Sequence, residues 1–302
     1  MKENYKYSLE KYSGSKSRFV CPNCKKREYT RFINTETREY LSYEFGRCNR
    51  IIKCGYFKYP NQENNFIYEK NKDSVESEIE YLDKKVFQYF ESTNFNNPLF
   101  IFLKSYFDKS TIEKIWNLYE VKTEKLNGEY LTIFPQLDLE FNLRTIKKMK
   151  YNSQTGKRSK SFFQWYNPKK SNLKQCLFGL HLLIHPEFKK SKIIIVESEK
   201  TALLGMLYFK NKYLFLATGG LMNLTKDKLK PLENREVILM PDLSPTDSKN
   251  LAFDYWKTKS EKFSNELNCS ISISNLLEEN ASDLEKNNQE DLGDFILREV
   301  IK

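Results

Sequence analysis

The sequence lacks three kinds of segment, and each absence excludes a class of protein. No apolar run approaches the ~20 residues that a membrane-spanning helix needs. The first ten residues are polar and charged and contain no apolar signal-peptide core. No Gly-x-x-x-x-Gly-Lys-(Ser/Thr) run occurs, which excludes a P-loop motor. We therefore expect a cytoplasmic globular protein with no membrane partner.

Acidic residues are also missing from one long window, between Glu140 and Glu187. Ten Lys and Arg residues lie in this window, interleaved with aromatic residues such as Trp165. Cations follow a phosphate backbone, and aromatic rings stack on unpaired bases. The alternative is a solvated strand face above an aromatic core, but the complete absence of acids favours binding of single-stranded DNA or RNA. The candidate residues include Arg144, Lys147, Lys150, Lys157 and Arg158.

The charge of the whole chain is unevenly distributed. The 302 residues carry a net charge of +10, which divides into +13 for residues 1–190 and −3 for residues 191–302. General solubility does not predict this asymmetry. It indicates phosphate binding by the first part and metal chemistry in the second.

Four of the six cysteines lie close together in the sequence, at Cys21, Cys24, Cys48 and Cys54. Two residues separate the first pair and five separate the second. A close cluster in a cytoplasmic protein favours a metal over disulfides, and four thiolates suit tetrahedral Zn²⁺. The alternative is four ordinary buried cysteines. We predict a structural zinc site because a small strand-rich lobe has little apolar core of its own.

The rest of the pattern predicts four regions. Residues 1–60 would form the cysteine-rich β lobe, residues 61–128 a helical linker region, and residues 129–175 a basic β region. From Ser74 a helical spacing of apolar residues runs to Phe90. In residues 176–302 strands and helices alternate, which is typical of a parallel sheet covered on both faces. The strands are predicted at 192–197, 213–217, 236–241 and 269–274, and the helices at 178–184, 199–209, 225–230, 248–263 and 291–301.

Carboxylates follow two of these strands. Glu197 ends the apolar strand Ile193–Val196, and Asp242 ends the strand that begins near Val237. The carboxyl edge of a parallel sheet is where such folds bind ligands, and converging carboxylates there suit Mg²⁺ or Mn²⁺.

Other polar residues surround these two acids in the sequence. Asp247 follows Asp242, and Asp291 and Asp294 lie near the C-terminus. We assign Glu199 to the start of the next helix. Lys200, Gly219 and Gly220 are candidates for binding phosphate, since glycines let the backbone approach it. Alternatively, each acid caps a helix or faces solvent.

These motifs resemble a known family. The order Val-Glu-x-Glu-Lys-x-Ala from Val196, then Ala-Thr-Gly-Gly, then an apolar strand ending in Asp242 is similar to the Toprim domain of primases, topoisomerases, some nucleases and recombination mediators. The cysteine lobe looks like the zinc ribbon of bacterial, phage and plasmid primases. The whole chain resembles an uncharacterised group of zinc-ribbon and Toprim proteins carried by bacteria and their mobile elements.

The resemblance implies an α/β fold with a Rossmann-like Toprim domain at residues 176–302, preceded by the basic β region and the zinc ribbon. It implies that Glu197 is a metal ligand or general acid/base and that Asp242 is the first aspartate of an Asp-x-Asp pair. The second position of the pair is Ser244 here, and Asp247 is the nearest acidic substitute. A serine hydroxyl is a poorer magnesium ligand than a carboxylate.

Three functions follow as hypotheses. The first is a primase-like enzyme of a phage or mobile element that carries out Mg²⁺-dependent nucleotidyl transfer on a single-stranded template, with replication or mobile-element proteins as partners. The second is a non-catalytic nucleic-acid-binding accessory protein, similar to recombination mediators, which Ser244 favours. The third is a Toprim nuclease.

Overall fold

The computed structural model describes residues 6–14, 17–60, 79–92, 95–166, 172–248 and 251–301. The chain divides into two compact units. The first consists of Met1–Glu76 with Ser244–Leu251, and the second of Ser77–Leu243 with Ala252–Lys302. No helix within the described ranges has both the length and the apolar character needed to cross a membrane.

The first unit contains a small antiparallel sheet whose four strands follow in sequence order. Its main buried cluster consists of Tyr29 and three of the cysteines, and Phe32 and Ile33 are the other buried apolar residues among its described strands. The Tyr29 hydroxyl donates a hydrogen bond to the Tyr43 carbonyl oxygen at 2.9 Å. A core this small needs a further source of stability. The strands are β1 (Tyr7–Leu9), β2 (Tyr29–Asn34), β3 (Gly46–Cys48) and β4 (Phe57–Lys58).

The second unit begins with two short helices and an antiparallel sheet in the order β5-β6-β7-β8. Asn97 joins helix to sheet: its side-chain oxygen accepts a hydrogen bond from the Leu99 N–H at 3.0 Å, and its amide donates to Thr123 Oγ1 at 3.0 Å. This buried N-cap fixes the start of α1 on the sheet. The elements are α1 (Pro98–Lys104), α2 (Lys109–Leu118), β5 (Lys122–Leu126), β6 (Glu129–Leu137), β7 (Leu143–Tyr151) and β8 (Arg158–Tyr166).

A parallel sheet in the order β10-β9-β11-β12 forms the rest of the second unit. Strands β9 and β10 of this sheet are wholly buried apolar runs, as expected for a sheet covered on both faces. The strands are β9 (Ile193–Val196), β10 (Leu214–Ala217), β11 (Glu236–Leu239) and β12 (Ser270–Ile273). The helices are α3 (Glu199–Phe209), α4 (Lys226–Leu229), α5 (Ala252–Glu266), α6 (Leu276–Asn280), α7 (Asp283–Asn288) and α8 (Leu292–Ile301).

Close helix packing around α3 depends on a glycine. A Cβ at Gly293 would lie 2.8 Å from Leu204 Cδ1 and 2.9 Å from Asp291 Oδ1. Such contacts are too short for a real side chain, so any larger residue at position 293 would force the ends of the Leu204 and Asp291 side chains to move.

The predicted α/β class is confirmed, and the four parallel strands and the helix at Glu199–Phe209 lie where the pattern placed them. The long helix expected from Ser74 is not present in its described part, which has only a 3₁₀ helix at Lys84–Tyr89; residues 61–78 lie outside the described ranges. The segment near 178–184 is also a 3₁₀ helix, at Leu180–Ile184. Strand β5, inside the expected helical linker region, pairs with β6 and therefore belongs to the basic sheet.

Candidate metal centres and basic sheet

The four cysteine sulfurs of the first unit converge. All four Sγ atoms lie within 4.8 Å of one another, with Cys21 3.7 Å from Cys54 and Cys24 3.9 Å from Cys48. Zinc–sulfur bonds of 2.3 Å in a tetrahedron place sulfurs ~3.8 Å apart. The Asn23 side-chain amide donates to Cys54 Sγ at 3.4 Å, which suits a negatively charged sulfur. The residues fit Zn²⁺, and this unit is a four-cysteine zinc ribbon.

The two acids expected at the edge of the parallel sheet lie side by side. Strands β9 and β11 are parallel neighbours, Glu197 directly follows β9, and Asp242 lies three residues beyond the end of β11. The Asp242 backbone N–H donates a hydrogen bond to Glu197 Oε1 at 3.2 Å. Although these carboxylates are far apart in sequence, the topology of the sheet brings them together.

Two further carboxylates lie near them at the start of α8. Asp291 is buried and accepts a 2.5 Å hydrogen bond from the Thr201 hydroxyl, while its other oxygen accepts one from the Asp294 N–H at 3.0 Å. Asp294 in turn accepts from the Asp291 N–H at 3.1 Å. These mutual bonds fix both aspartates against α3, which begins just after Glu197.

The four acids repel one another in a partly desolvated environment. Burial, with the charge of Asp291, raises the pKa of Glu197 to about 7. Burial and the charges of Glu197, Asp291 and Asp294 raise the pKa of Asp242 well above its usual range, and Lys200 opposes this shift. Burial and the charge of Asp291 also raise the pKa of Asp294. Each shift favours the neutral carboxyl group, and a bound cation would oppose it by stabilising the ionised carboxylates.

The acidic cluster is more open than the cysteine cluster. Among the described residues, no three acidic side chains bring their oxygens as close together as the cysteines bring their sulfurs. Hard carboxylate oxygens are the ligands that Mg²⁺ and Mn²⁺ prefer, and Mg²⁺ commonly binds through one or two carboxylates together with waters and substrate phosphates. The donor set fits such an ion, with Glu197 and Asp242 as its first candidates.

The glycine loop after β10 contacts the same edge. The Gly219 N–H donates to the Glu197 carbonyl oxygen at 2.9 Å, and the Gly220 N–H donates to Thr218 Oγ1 at 3.3 Å. Both glycines have positive φ, +82° and +143°, a conformation that favours glycine. Because these N–H groups already have internal acceptors, binding of phosphate by Gly219 and Gly220 stays a prediction that needs further donors.

Glu199 has a role that its position in the sequence did not indicate. It begins α3 as expected, but its side chain is only 1% exposed. Both of its carboxylate oxygens accept hydrogen bonds from Lys147 Nζ, at 2.9 and 2.8 Å. Lys147, on strand β7, also donates to the Gly219 carbonyl oxygen at 3.4 Å. This buried ion pair joins the antiparallel sheet to the helix and loop at the acidic edge.

The basic window is less positive in the structure than in the sequence, because acids from outside the window pair with it. Arg144 Nε lies 3.7 Å from Asp138 Oδ2, Lys148 Nζ lies 2.7 Å from Glu124 Oε2, and Lys150 pairs with Glu129. Lys157 and Arg158 differ from these residues. Both are exposed, and neither forms an ion pair with a described residue. They are the candidates best placed to meet a phosphate backbone.

Asp247 and Ser244 lie in the segment that belongs to the first unit. Asp247 is exposed, whereas Ser244 is 4% exposed. The substitution of Asp247 for the missing second aspartate stays a prediction.

Two family models match parts of the chain. Residues 5–70 match a zinc beta-ribbon finger family, which agrees with the cysteine geometry, and residues 97–243 match a domain of unknown function, DUF6371. No curated protein matches the chain.

Solved primase structures are similar over most of the chain. The primase fragment of the bacteriophage T7 primase-helicase protein is 14% identical, with 94% of this chain and 98% of that chain covered and a TM-score of 0.41. The zinc-binding and RNA polymerase domains of the Aquifex aeolicus primase are 11% identical, with 97% and 80% covered and a TM-score of 0.43.

Proposed function

We propose that the protein is a nucleic-acid-binding, primase-like Toprim protein in which Glu197 and Asp242 hold Mg²⁺ or Mn²⁺ for nucleotidyl transfer on a single-stranded template. The observation that carries this proposal is the hydrogen-bonded placement of Glu197 and Asp242 at the ends of two paired parallel strands, with Asp291 and Asp294 beside them. A divalent ion bound there would stabilise the charge of the attacking and leaving oxygens.

The chain's own residues supply the surroundings of such an ion. Asp291 and Asp294 contribute negative charge from the start of α8, and Lys200 contributes a nearby positive charge. The exposed Lys157 and Arg158 would contact template phosphates from the antiparallel sheet of the same unit. This proposal includes a cytoplasmic location and partners among replication or mobile-element proteins.

A second function is favoured by one residue. Ser244 stands where the Toprim pattern has its second aspartate, so the acidic edge has one carboxylate fewer than catalysis in that family uses. The protein would then be an accessory factor that binds nucleic acid without changing it. Binding by this factor would fall steeply with salt and would not depend on Asp242.

Primer synthesis on single-stranded DNA with Mg²⁺ or Mn²⁺ and nucleotides tests the first proposal. We expect Glu197→Gln and Asp242→Asn each to reduce product formation by at least about 100-fold, because each removes a metal-binding charge. Glu261→Gln, at an exposed glutamate of α5, is the matched control and is expected to leave product formation unchanged.

Equal product from Glu197→Gln and the wild type would overturn the catalytic proposal. No product from the wild type, together with salt-sensitive binding that Asp242→Asn leaves intact, would support the accessory function. Divalent-dependent nicking in the absence of nucleotides would identify a Toprim nuclease.

A further inference from the structure

Two aromatic side chains on strand β8 are exposed although their neighbours on the same sheet face are buried. Phe163 is 53% exposed, and Trp165 is partly exposed. Their rings meet edge to face, with centroids 5.9 Å apart and planes at 88°. This arrangement leaves ring faces open for a further planar group.

The position of β8 explains this exposure. Lys147 pairs with Trp165 and Met149 with Phe163 in the register, so these four residues share one face of the sheet. On the inner strand β7, Met149 packs into the main core of the unit. Strand β8 is the edge of the sheet, so its side chains on this face lie beyond the core that buries Met149. The opposite face differs, because Phe162 and Tyr166 pack against a second apolar cluster.

The aromatic pair lies next to the acidic edge. Lys147 Nζ is 5.7 Å from the centroid of each ring, and the same ammonium group contacts Glu199 and the Gly219 carbonyl oxygen. Gly219 in turn donates to the carbonyl oxygen of Glu197. A short line of contacts therefore runs from the rings to the residue that would hold the metal.

Positive charge that forms no ion pair with any described residue lies at the start of the same strand. Arg158 begins β8 and Lys157 precedes it, five and six residues before Phe163. In the register Arg158 lies opposite Tyr151 and Phe163 opposite Met149, two residues apart on β7, so Arg158 is only ~7 Å along the sheet from Phe163. Positive charge at one end of a strand and open aromatic faces at the other are the two features that single-stranded nucleic acid requires.

We propose that Phe163 and Trp165 form a stacking platform for an unpaired base of the single strand whose phosphates meet Lys157 and Arg158. This inference rests on the proposed nucleic-acid-binding function and adds to it the residues that select unpaired over paired strands. A duplex has no free base face to offer the rings, so the platform discriminates against it.

Fluorescence offers a direct test because the other two tryptophans are buried, Trp116 at 1% and Trp256 at 0% exposure. Titration of the full-length protein with oligo(dT) is expected to quench emission from Trp165, and Trp165→Phe is expected to abolish the change. Phe163→Ala is expected to weaken oligo(dT) binding, measured by anisotropy, by at least about 5-fold. Phe163→Trp should bind oligo(dT) as tightly as the wild type, because it keeps an aromatic ring at this position. Tyr89→Ala, which removes a ring that is 71% exposed on the 3₁₀ helix Lys84–Tyr89, is the matched control.

The outcomes separate this inference from the proposed function. Binding of oligo(dT) without quenching, and with equal affinity for Phe163→Ala, would overturn the platform and leave nucleic-acid binding intact. Equal quenching by a blunt duplex would also overturn it. If the wild type binds no nucleic acid, both proposals are wrong. A concentration-dependent dimer that Phe163→Ala dissociates, with no effect on DNA binding, would instead identify a protein contact at this edge strand.

Discussion

The two candidate metal centres of this protein are built in opposite ways. The cysteine cluster is compact, with four sulfurs within 4.8 Å of one another and supplied by a chain segment of about 35 residues. The carboxylate cluster is open, and its members come from positions almost 100 residues apart in sequence, Glu197 to Asp294. The first arrangement fits a resident structural ion, and the second fits an ion that arrives with substrate and water.

The difference shows how each site relates to folding. Soft thiolates in a unit with almost no other core make the metal part of the fold. The carboxylates lie beside a large apolar core that includes β9, β10 and α3, so the fold there does not need an ion. Repulsion among these acids instead destabilises the folded state, and a cation bound there would relieve it.

The largest expected effect follows from removing zinc. We expect Cys48→Ser, or treatment with a strong chelator, to unfold the first unit, because zinc binding contributes on the order of 10 kcal/mol to folding in such sites. Metal analysis and limited proteolysis of residues 17–60 measure this. Cys269→Ser is the control, since that buried thiol lies outside the cluster and donates to the Leu232 carbonyl oxygen. Retention of one zinc per chain by Cys48→Ser would contradict the assignment.

The second largest effect concerns the buried ion pair beside the carboxylate site. We expect Lys147→Met or Glu199→Gln to lower the free energy of unfolding by about 3–5 kcal/mol, because each leaves an uncompensated buried group. Chemical denaturation measures this change. Lys150→Met breaks a more exposed pair with Glu129 and should cost under about 1 kcal/mol. If Lys147→Met and Lys150→Met lower the free energy of unfolding by the same amount, burial of Lys147 is not important.

The third largest effect is a pH dependence of the free energy of unfolding, which we expect from the carboxylate site and not from the cysteine site. The pKa of Glu197 is about 7 in the folded protein against an ordinary 4.5, so the folded state holds this proton more tightly than the unfolded chain. Its stabilising contribution is complete below pH 4.5 and is lost as the pH rises through 7. The loss is about 3 kcal/mol at most.

Thermal unfolding at pH 5.5 and 8 measures this effect. Mg²⁺ added at pH 8 should raise the melting temperature of the wild type, and Glu197→Gln should reduce both the pH dependence and the Mg²⁺ effect. A wild-type protein that Mg²⁺ does not stabilise at pH 8 would argue against a cation at this edge.

The smallest expected effect tests whether the open site depends on close helix packing. Gly293→Ala forces a Cβ against Leu204 and Asp291, and we expect it to cost about 1–3 kcal/mol and to displace Asp291 and Asp294. Mg²⁺-induced stabilisation should decrease with it. Ile301→Ala on the same helix, at a side chain that is 71% exposed, should change stability by under about 0.5 kcal/mol. If Gly293→Ala leaves the Mg²⁺-induced stabilisation unchanged, Asp291 and Asp294 do not contribute to the site.

Local patterns in the sequence were sufficient for much of the fold. Apolar β-branched runs such as Ile193–Val196 locate buried strands, and the cysteine spacing locates the zinc ribbon, because each signal lies within a single segment of the chain. The neighbouring positions of Glu197 and Asp242 could be inferred because parallel strands share a carboxyl edge.

What the sequence could not indicate depends on partners from distant segments. The acid-free window suggested free positive charge, yet Glu124, Glu129 and Asp138 neutralise part of it from neighbouring strands and turns. Glu199 had the pattern of a helix start, and only the tertiary structure shows that it is buried against Lys147. No periodicity or spacing within one segment encodes pairs of this kind.

The Lys147–Glu199 pair has a consequence for how the sequence can evolve. The two positions are 52 residues apart, yet loss of either charge alone leaves the other buried and unpaired. Related chains should therefore change both positions together, most readily to two apolar residues of similar volume. In such chains the Gly219 carbonyl oxygen would lose its lysine contact, and the glycine loop would be free to diverge.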